Sequence, residues 1–307
     1  MNKNPGAKQF WRVCGPILLY WLIEFCAQIL AGVAVVAIHA NELAQAVIQV
    51  SKNESSTALV QVYEGIFKTL VQHQVELAGF MALCTIPLTV CLFHADRKRE
   101  RTLSIPVNKK AEPWRYIEIA ALGVALNIGM NCLTFMTQLA FKDTGYQETS
   151  EMFYSASVPV QILCLGIVIP LAEELMFRGV LYKRYREQSS FFMAALYSTI
   201  LFSMSHTNTT QFLYTLLLGF FLAYVYEKFG SFLAPVLLHI VANLVSVILA
   251  NTGVLTWIMG KPTRLGITVV ACAFVCSVMF VLIQRIDEKP DILKKQEENH
   301  KPPEMFR

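Results

Sequence analysis

Eight apolar stretches decide what this chain can be. They lie at about residues 13–38, 78–95, 116–141, 158–182, 191–206, 211–227, 231–250 and 265–285. At 1.5 Å per residue they are of the length that crosses the hydrocarbon core of a bilayer, which takes about 20 residues. Composition agrees, with 55% hydrophobic and only 16% charged residues among the 307. Soluble domains carry roughly 45–50% and about 25%. The expected fold is all-α, a polytopic transmembrane helical bundle of about eight spans. A soluble enzyme, an intrinsically disordered chain and a disulfide-stapled secreted domain are excluded.

The 26 basic and 22 acidic residues leave a net charge of +4, too small to argue for nucleic acid. The eight cysteines all fall inside apolar stretches and none forms a CxxC pair, so they read as small buried hydrophobes. Lys3, Lys8 and Arg12 precede the first stretch as they would in a signal peptide, but the run is too long for a cleaved one and reads as a retained helix. An even number of spans places both termini on one side. Threading the spans also puts the basic groups on that side: Arg97 to Arg115, Lys183 to Arg186, and Lys289 to Lys301. The positive-inside rule makes that side cytoplasmic, N-in and C-in.

Three regions follow. Residues 1–157 form an N-terminal transmembrane region with an extracytoplasmic segment at 41–77, whose apolar residues recur at helical spacing opposite a polar face. That segment reads as an interfacial amphipathic helix, or as a lid that touches substrate. Residues 158–250 form the core, and 251–307 a last span with a polar, disordered tail.

The core contains groups that a membrane span normally rejects. Glu173, Glu174 and Arg178 stand within six residues, at a cost of roughly 9 kcal/mol before pairing. Glu174 and Arg178 are four apart with the acid first, the better orientation for an ion pair on one helix face. Glu173 is then the unpaired carboxylate. His206 ends the fifth stretch one turn after Phe202, and His239 and Asn243 share a face of the seventh. Two histidines, a glutamate and an asparagine from three spans have two hydrolytic uses. Glu173, His206 and His239 are a zinc-type ligand set that would ionise a bound water. Without metal, Glu173 would act as general base while a histidine and Asn243 meet an oxyanion. Glu24, Glu118, Asn127, Asn131 and Glu227 occur singly or near span edges and read as structural.

At these residues the chain resembles the CAAX-protease and bacteriocin-processing family (CPBP, also called Abi), which includes the type II CAAX prenyl endopeptidases. The shared pattern is EExxxR at Glu173–Arg178, FxxxH at Phe202–His206 and HxxxN at His239–Asn243, approached through Gly230, Ser231 and Pro235. The resemblance covers about residues 160–250. It implies an intramembrane metalloendopeptidase in which Glu173 activates water with His206 as partner. His239 and Asn243 complete the site as metal ligands or oxyanion donors, and Glu174 and Arg178 tune Glu173. It also implies Zn2+ or a metal-free glutamate mechanism, and a membrane-associated substrate: a CAAX terminus, or a bacteriocin or pheromone leader. The expected location is a bacterial plasma membrane. The competing expectation is a catalytically silent scaffold or immunity protein that regulates a membrane partner. Oligomeric state is not legible.

Overall fold

The computed structural model describes residues 5–52, 57–103 and 110–286. The tail from residue 287 and Lys109 lie outside them, as does Asn53–Ser55, one of two matches in the sequence to the glycosylation triplet, which is common by chance; the other is Asn208–Thr210. In chain order the helices are α1 (Pro5–Ile38), α2 (Ala40–Ser51), α3 (Thr57–Gln72), α4 (Gln74–Thr102) and α5 (Tyr116–Met136). Two short helices follow, α6 (Leu139–Lys142) and α7 (Thr144–Ser155). Next is a continuous helical span, α8 (Val158–Arg186). The rest are α9 (Phe191–Met204), α10 (Thr209–Phe229), α11 (Leu233–Thr252), α12 (Val254–Met259) and α13 (Pro262–Gln284).

Among the described residues, seven helices are long and apolar enough to cross a membrane: α1, α4, α5, α8, α10, α11 and α13. The eighth expected span, 191–206, is the 14-residue α9, about 21 Å long and short of a full crossing. Ser190 starts it by accepting a bond from the Met193 amide. Asn208 then starts α10 by accepting one from Gln211 at 2.8 Å. This buried capping role also accounts for Asn208 in the second glycosylation-like triplet. α9 and α10 form an antiparallel hairpin that returns the chain to the end it left, where Arg186 pairs with Glu227 at 3.0 Å. Gly230, at φ 57°, closes α10 in the left-handed region that glycine enters without strain.

That end of the bundle gathers the described basic clusters. Arg12 at the start of α1 pairs with Glu187 at 2.7 Å, and Arg99 reaches the same carboxylate at 2.9 Å. Arg184 bonds Asp96 at 2.7 Å, and Lys183 and Arg97 both meet Glu100. Arg115 bonds Glu118 and the Leu282 carbonyl, and Lys228 bonds the carbonyl of Gln284. The first turns of α1 and the last turns of α13 therefore share one end, as expected for a chain whose two termini lie on the same side.

The dry core lies just inside this belt. Met176, Phe177, Leu181, Phe202, Leu222 and Phe229 are buried within one apolar cluster that also takes Tyr20 from α1 and Leu122 from α5. Outward faces of α1 and α13, such as Leu22, Phe25, Leu30, Val270 and Phe274, are exposed, as lipid-facing side chains are. The 41–77 segment at the opposite end is two helices, α2 and α3, that pack on each other. His39 at the α1–α2 joint bonds Thr69 of α3 at 3.0 Å.

Candidate active site

α8 is not a uniform α-helix. A π-helical stretch at Gln161–Val168 precedes the α-helical turn Ile169–Glu174, and a second at Leu175–Tyr182 follows it. In the first stretch the i+5 partner of the Leu165 carbonyl is residue 170, a proline with no N–H. Asn243 of α11 supplies the missing donor, its side-chain amide reaching the Leu165 oxygen at 2.8 Å. The asparagine thus docks α11 against the bulge and still has a second N–H. π-bulges recur at functional sites because they re-aim side chains by a fraction of a turn.

Beyond that bulge the two glutamates part company. Glu174 and Arg178 have no exposed surface and are joined at 3.0 Å. Arg178 also donates to the Gly219 carbonyl at 3.2 Å and stacks over Phe202 at 4.5 Å. His239 Nδ1 bonds Glu174 Oε1 at 2.9 Å, so one carboxylate oxygen accepts from both Arg178 and His239. The other side of the His239 ring faces Glu173, with Nε2 at 3.7 Å from its carboxylate, too long for a direct bond. Phe202 is the pivot beneath: His206 and His239 both pack edge-on against it, at 5.3 and 5.7 Å between ring centroids. His206 Nδ1 lies 3.2 Å from the Phe202 carbonyl. A carbonyl only accepts, so Nδ1 carries the hydrogen and a neutral ring keeps Nε2 as an acceptor.

Glu173, His206, His239 and Asn243 all line one cavity of about 470 Å³. Glu174 and Arg178 do not, being sealed beneath it, and are positioning residues. His206 joins them from the turn between α9 and α10. Among the described residues, no three His, Cys, Asp or Glu side chains are grouped closely enough to hold a metal ion. So placed, Glu173, His206 and His239 do not fit a bound Zn2+, although their chemistry is of zinc type.

The cavity wall also holds residues that sequence reasoning set aside or passed over. Tyr20 and Glu24 of α1 face it, as do Tyr146 and Tyr154 of α7 and Tyr214 of α10. Asn127 donates to Tyr214 at 2.8 Å and to Ser246 at 2.7 Å, and Asn131 donates back to Asn127 at 3.1 Å. The Asn127–Asn131 spacing in the third stretch was the available signal for this network. Nothing in the sequence pattern distinguished α7. By contrast Glu118 and Glu227 pair at the basic end, as structural residues.

α7 closes the cavity by packing on α4, α10 and α11. Asp143 holds it there, accepting from the Tyr146 amide at 3.1 Å and from the amide and hydroxyl of Thr210 at 2.7 and 2.8 Å. Partial burial alone would raise the Asp143 pKa, but the hydrogen bonds from Thr210, Tyr146 and Gly145 outweigh it and hold it below the ordinary aspartate value. A lowered carboxylate stabilises the fold fully above its unfolded pKa and loses that contribution as pH falls through the folded one. Asp143→Asn is expected to cost about 1 kcal/mol, and to remove part of the acid sensitivity of the wild type. Melting of both proteins in detergent at neutral and acid pH checks this.

Gly219 is fixed by close approach. A Cβ there would sit 2.6 Å from Thr199 Cγ2 and 3.0 Å from Arg178 Nη2. Gly219→Ala is expected to cost about 1–3 kcal/mol by overpacking and to displace the guanidinium, read as a lower Tm together with slower turnover.

The comparisons agree with this geometry. The pattern of type II CAAX prenyl endopeptidase Rce1-like proteins matches residues 155–245, the stretch that holds all three motifs. "Putative membrane peptidase YdiL" of Bacillus subtilis (strain 168) is 26% identical over 113 residues, 37% of this chain and 46% of that protein. UPF0177 protein YxdF of Lactococcus lactis subsp. lactis (strain IL1403) is 30% identical over 122 residues, 39% of this chain and 67% of YxdF. The chain belongs to the CPBP family. It is a multi-pass member of a family of membrane proteases. The matched stretch spans less than half of YdiL and about two thirds of YxdF. No solved structure matches the chain significantly. The CPBP motifs account for Glu173, His206, His239 and Asn243, while Tyr20, Glu24 and α7 lie outside the matched residues.

Proposed function

We propose that the protein is an intramembrane endopeptidase of a bacterial plasma membrane. It hydrolyses a peptide bond in a membrane-associated protein or peptide, in processing of the CAAX or bacteriocin- and pheromone-leader type. The observation that carries this is the meeting of Glu173 of α8 and His206 of the α9–α10 turn in one cavity whose floor is locked by the buried Glu174–Arg178 pair.

Glu173 takes a proton from a water that also donates to His206 Nε2, which fixes its direction of attack. The water oxygen bonds to the scissile carbonyl carbon, and the free N–H of Asn243 is a donor for the oxyanion. Collapse breaks the C–N bond, and the proton on Glu173 passes to the leaving amine. His239, held through Nδ1 by Glu174, keeps its far side against Glu173 and sets that carboxylate's position. The metalloprotease form of this reading would place Zn2+ among Glu173, His206 and His239, where it would supply a water ionised near neutral pH. In the metal-free form cleavage survives a zinc chelator. Loss of turnover on chelation, restored by Zn2+, would establish the other.

The test is a mass-spectrometric comparison of membrane and secreted peptides from cells carrying wild type, Glu173→Ala or a deletion. A cleaved peptide lost equally from the last two establishes the activity and supplies the substrate. A deletion phenotype rescued in full by Glu173→Ala would instead mean a scaffold.

A further inference from the structure

The cavity lies wholly in one half of the bundle, and it is the half away from the basic belt. Its walls come from the first turns of α4 (Gln74 to Ala82), the last turns of α5 (Asn131, Thr134) and the first half of α10 (Thr210 to Leu218). α11 contributes from His239 onward, and α7 covers it. Every one of these segments is the part of its helix remote from the belt formed by Arg12, Asp96, Lys183, Arg186, Glu187 and Glu227. On the belt side of Glu173 the way is blocked. Glu174, Arg178, Met176, Phe177, Phe202 and Leu222 show no exposed surface, and beyond them stand the ion pairs themselves.

The basic belt is the cytoplasmic end by the positive-inside rule. The described lysines and arginine at the other end, Lys52, Lys68, Lys142, Lys261 and Arg264, are scattered over three helices and two helix ends and make no comparable cluster. The site therefore faces out of the cell. Its charge adds a second constraint. Glu24 and Glu173 line the cavity, no Lys or Arg does, and Glu148 and Glu151 stand exposed on the covering α7. Acidic walls raise the local concentration of cations and repel carboxylates.

Resting on the peptidase reading above, we infer that this enzyme takes its substrate from the extracytoplasmic side, as a neutral or cationic peptide segment that enters beneath α7. An exported peptide or the outward stem of a membrane protein has that chemistry. A cytoplasmic C-terminal tail does not reach the site, which removes the CAAX type of the two kinds of processing named above and keeps the processing of exported peptides. The tyrosine, threonine and amide groups of the wall suit an extended backbone, which needs donors and acceptors once it leaves water.

Two measurements on the full chain in cells test this independently of each other. Ser150→Cys on α7 and Gln211→Cys on α10 put a thiol in the cavity wall, and Lys98→Cys puts one at the belt end, with wild type as the blank. A membrane-impermeant sulfonated maleimide on intact cells is expected to modify the two cavity thiols. The belt thiol should react only in inside-out vesicles. Cavity thiols that react only in inside-out vesicles overturn the inference, whatever the activity. A variant that fails to reach the membrane is replaced by Thr149→Cys, on the same wall. In the peptide comparison, the products lost in Glu173→Ala are expected to come from extracytoplasmic segments of neutral or positive charge. Products from cytoplasmic tails overturn the inference while upholding the protease. An unchanged peptide pool in the presence of outward-reactive thiols sinks the peptidase reading and leaves the site's orientation standing.

Discussion

Glu173→Gln is expected to lower peptide-bond cleavage by about 10²–10⁴-fold while leaving the protein folded and in the membrane. The amide has the size and shape of the carboxylate but cannot take a proton from water, so the change isolates the base from its packing. Glu173 makes no direct hydrogen bond to His239, at 3.7 Å, and it lines the cavity instead of plugging the core. Little stability rests on it. The paired readouts are accumulation of uncleaved substrate in cells and Tm in detergent. Full cleavage with the glutamine in place would remove Glu173 from the chemistry. A large drop in Tm would make it structural. Glu174→Gln should behave in the opposite way, because its carboxylate is buried beneath the site against Arg178 and His239 and does not line the cavity.

That contrast between adjacent glutamates was only half legible in the sequence. Spacing alone paired Glu174 with Arg178 and left Glu173 free, and the structure keeps both assignments. The bundle itself followed from the lengths of the apolar stretches, which are a direct physical demand of the bilayer. What spacing did not reveal was depth. Counting spans leaves His206 near the outer end of its stretch, away from Glu173. In the structure it stands in the turn between α9 and α10, on the wall of the cavity that Glu173 also lines. The first π-bulge of α8 was also hidden, since the Leu165 carbonyl that Pro170 leaves unmet finds its donor in Asn243, 78 positions along the chain, a tertiary match with no local signature. Glu24 read as structural and Tyr20 was passed over for the same reason: only packing of α1 against α4 and α8 turns their face into a cavity wall. α7 is polar and short, and its role comes from Asp143 tying it to Thr210, again a long-range pairing. Local chemistry was readable, and juxtaposition was not.

Arg178→Met is expected to be the most destabilising single change in the chain, by about 3–5 kcal/mol, against a total stability of about 5–15 kcal/mol. The guanidinium is fully buried and answers Glu174, the Gly219 carbonyl and the Phe202 ring at once. Removing it strands a carboxylate with no exposed surface, one of whose oxygens already has no hydrogen-bond partner. Arg178→Lys should recover little, since a single ammonium cannot reach the carboxylate and the carbonyl in the planar geometry of the fork. The double variant Glu174→Leu with Arg178→Met separates stability from function. Apolar replacement of a buried pair is commonly neutral or better, so most of the lost stability should return. Cleavage should not return. His239 would have lost the acceptor on Nδ1 that orients its ring toward Glu173, and a first-shell imidazole left to rotate costs about 10–100-fold when its outer partner is removed. A double variant that regains both stability and turnover would show that the pair serves the fold alone. Regained stability with slow turnover, partly rescued by Glu174→Gln in the Arg178 background, would show that these two buried charges are kept in a membrane because they aim a histidine.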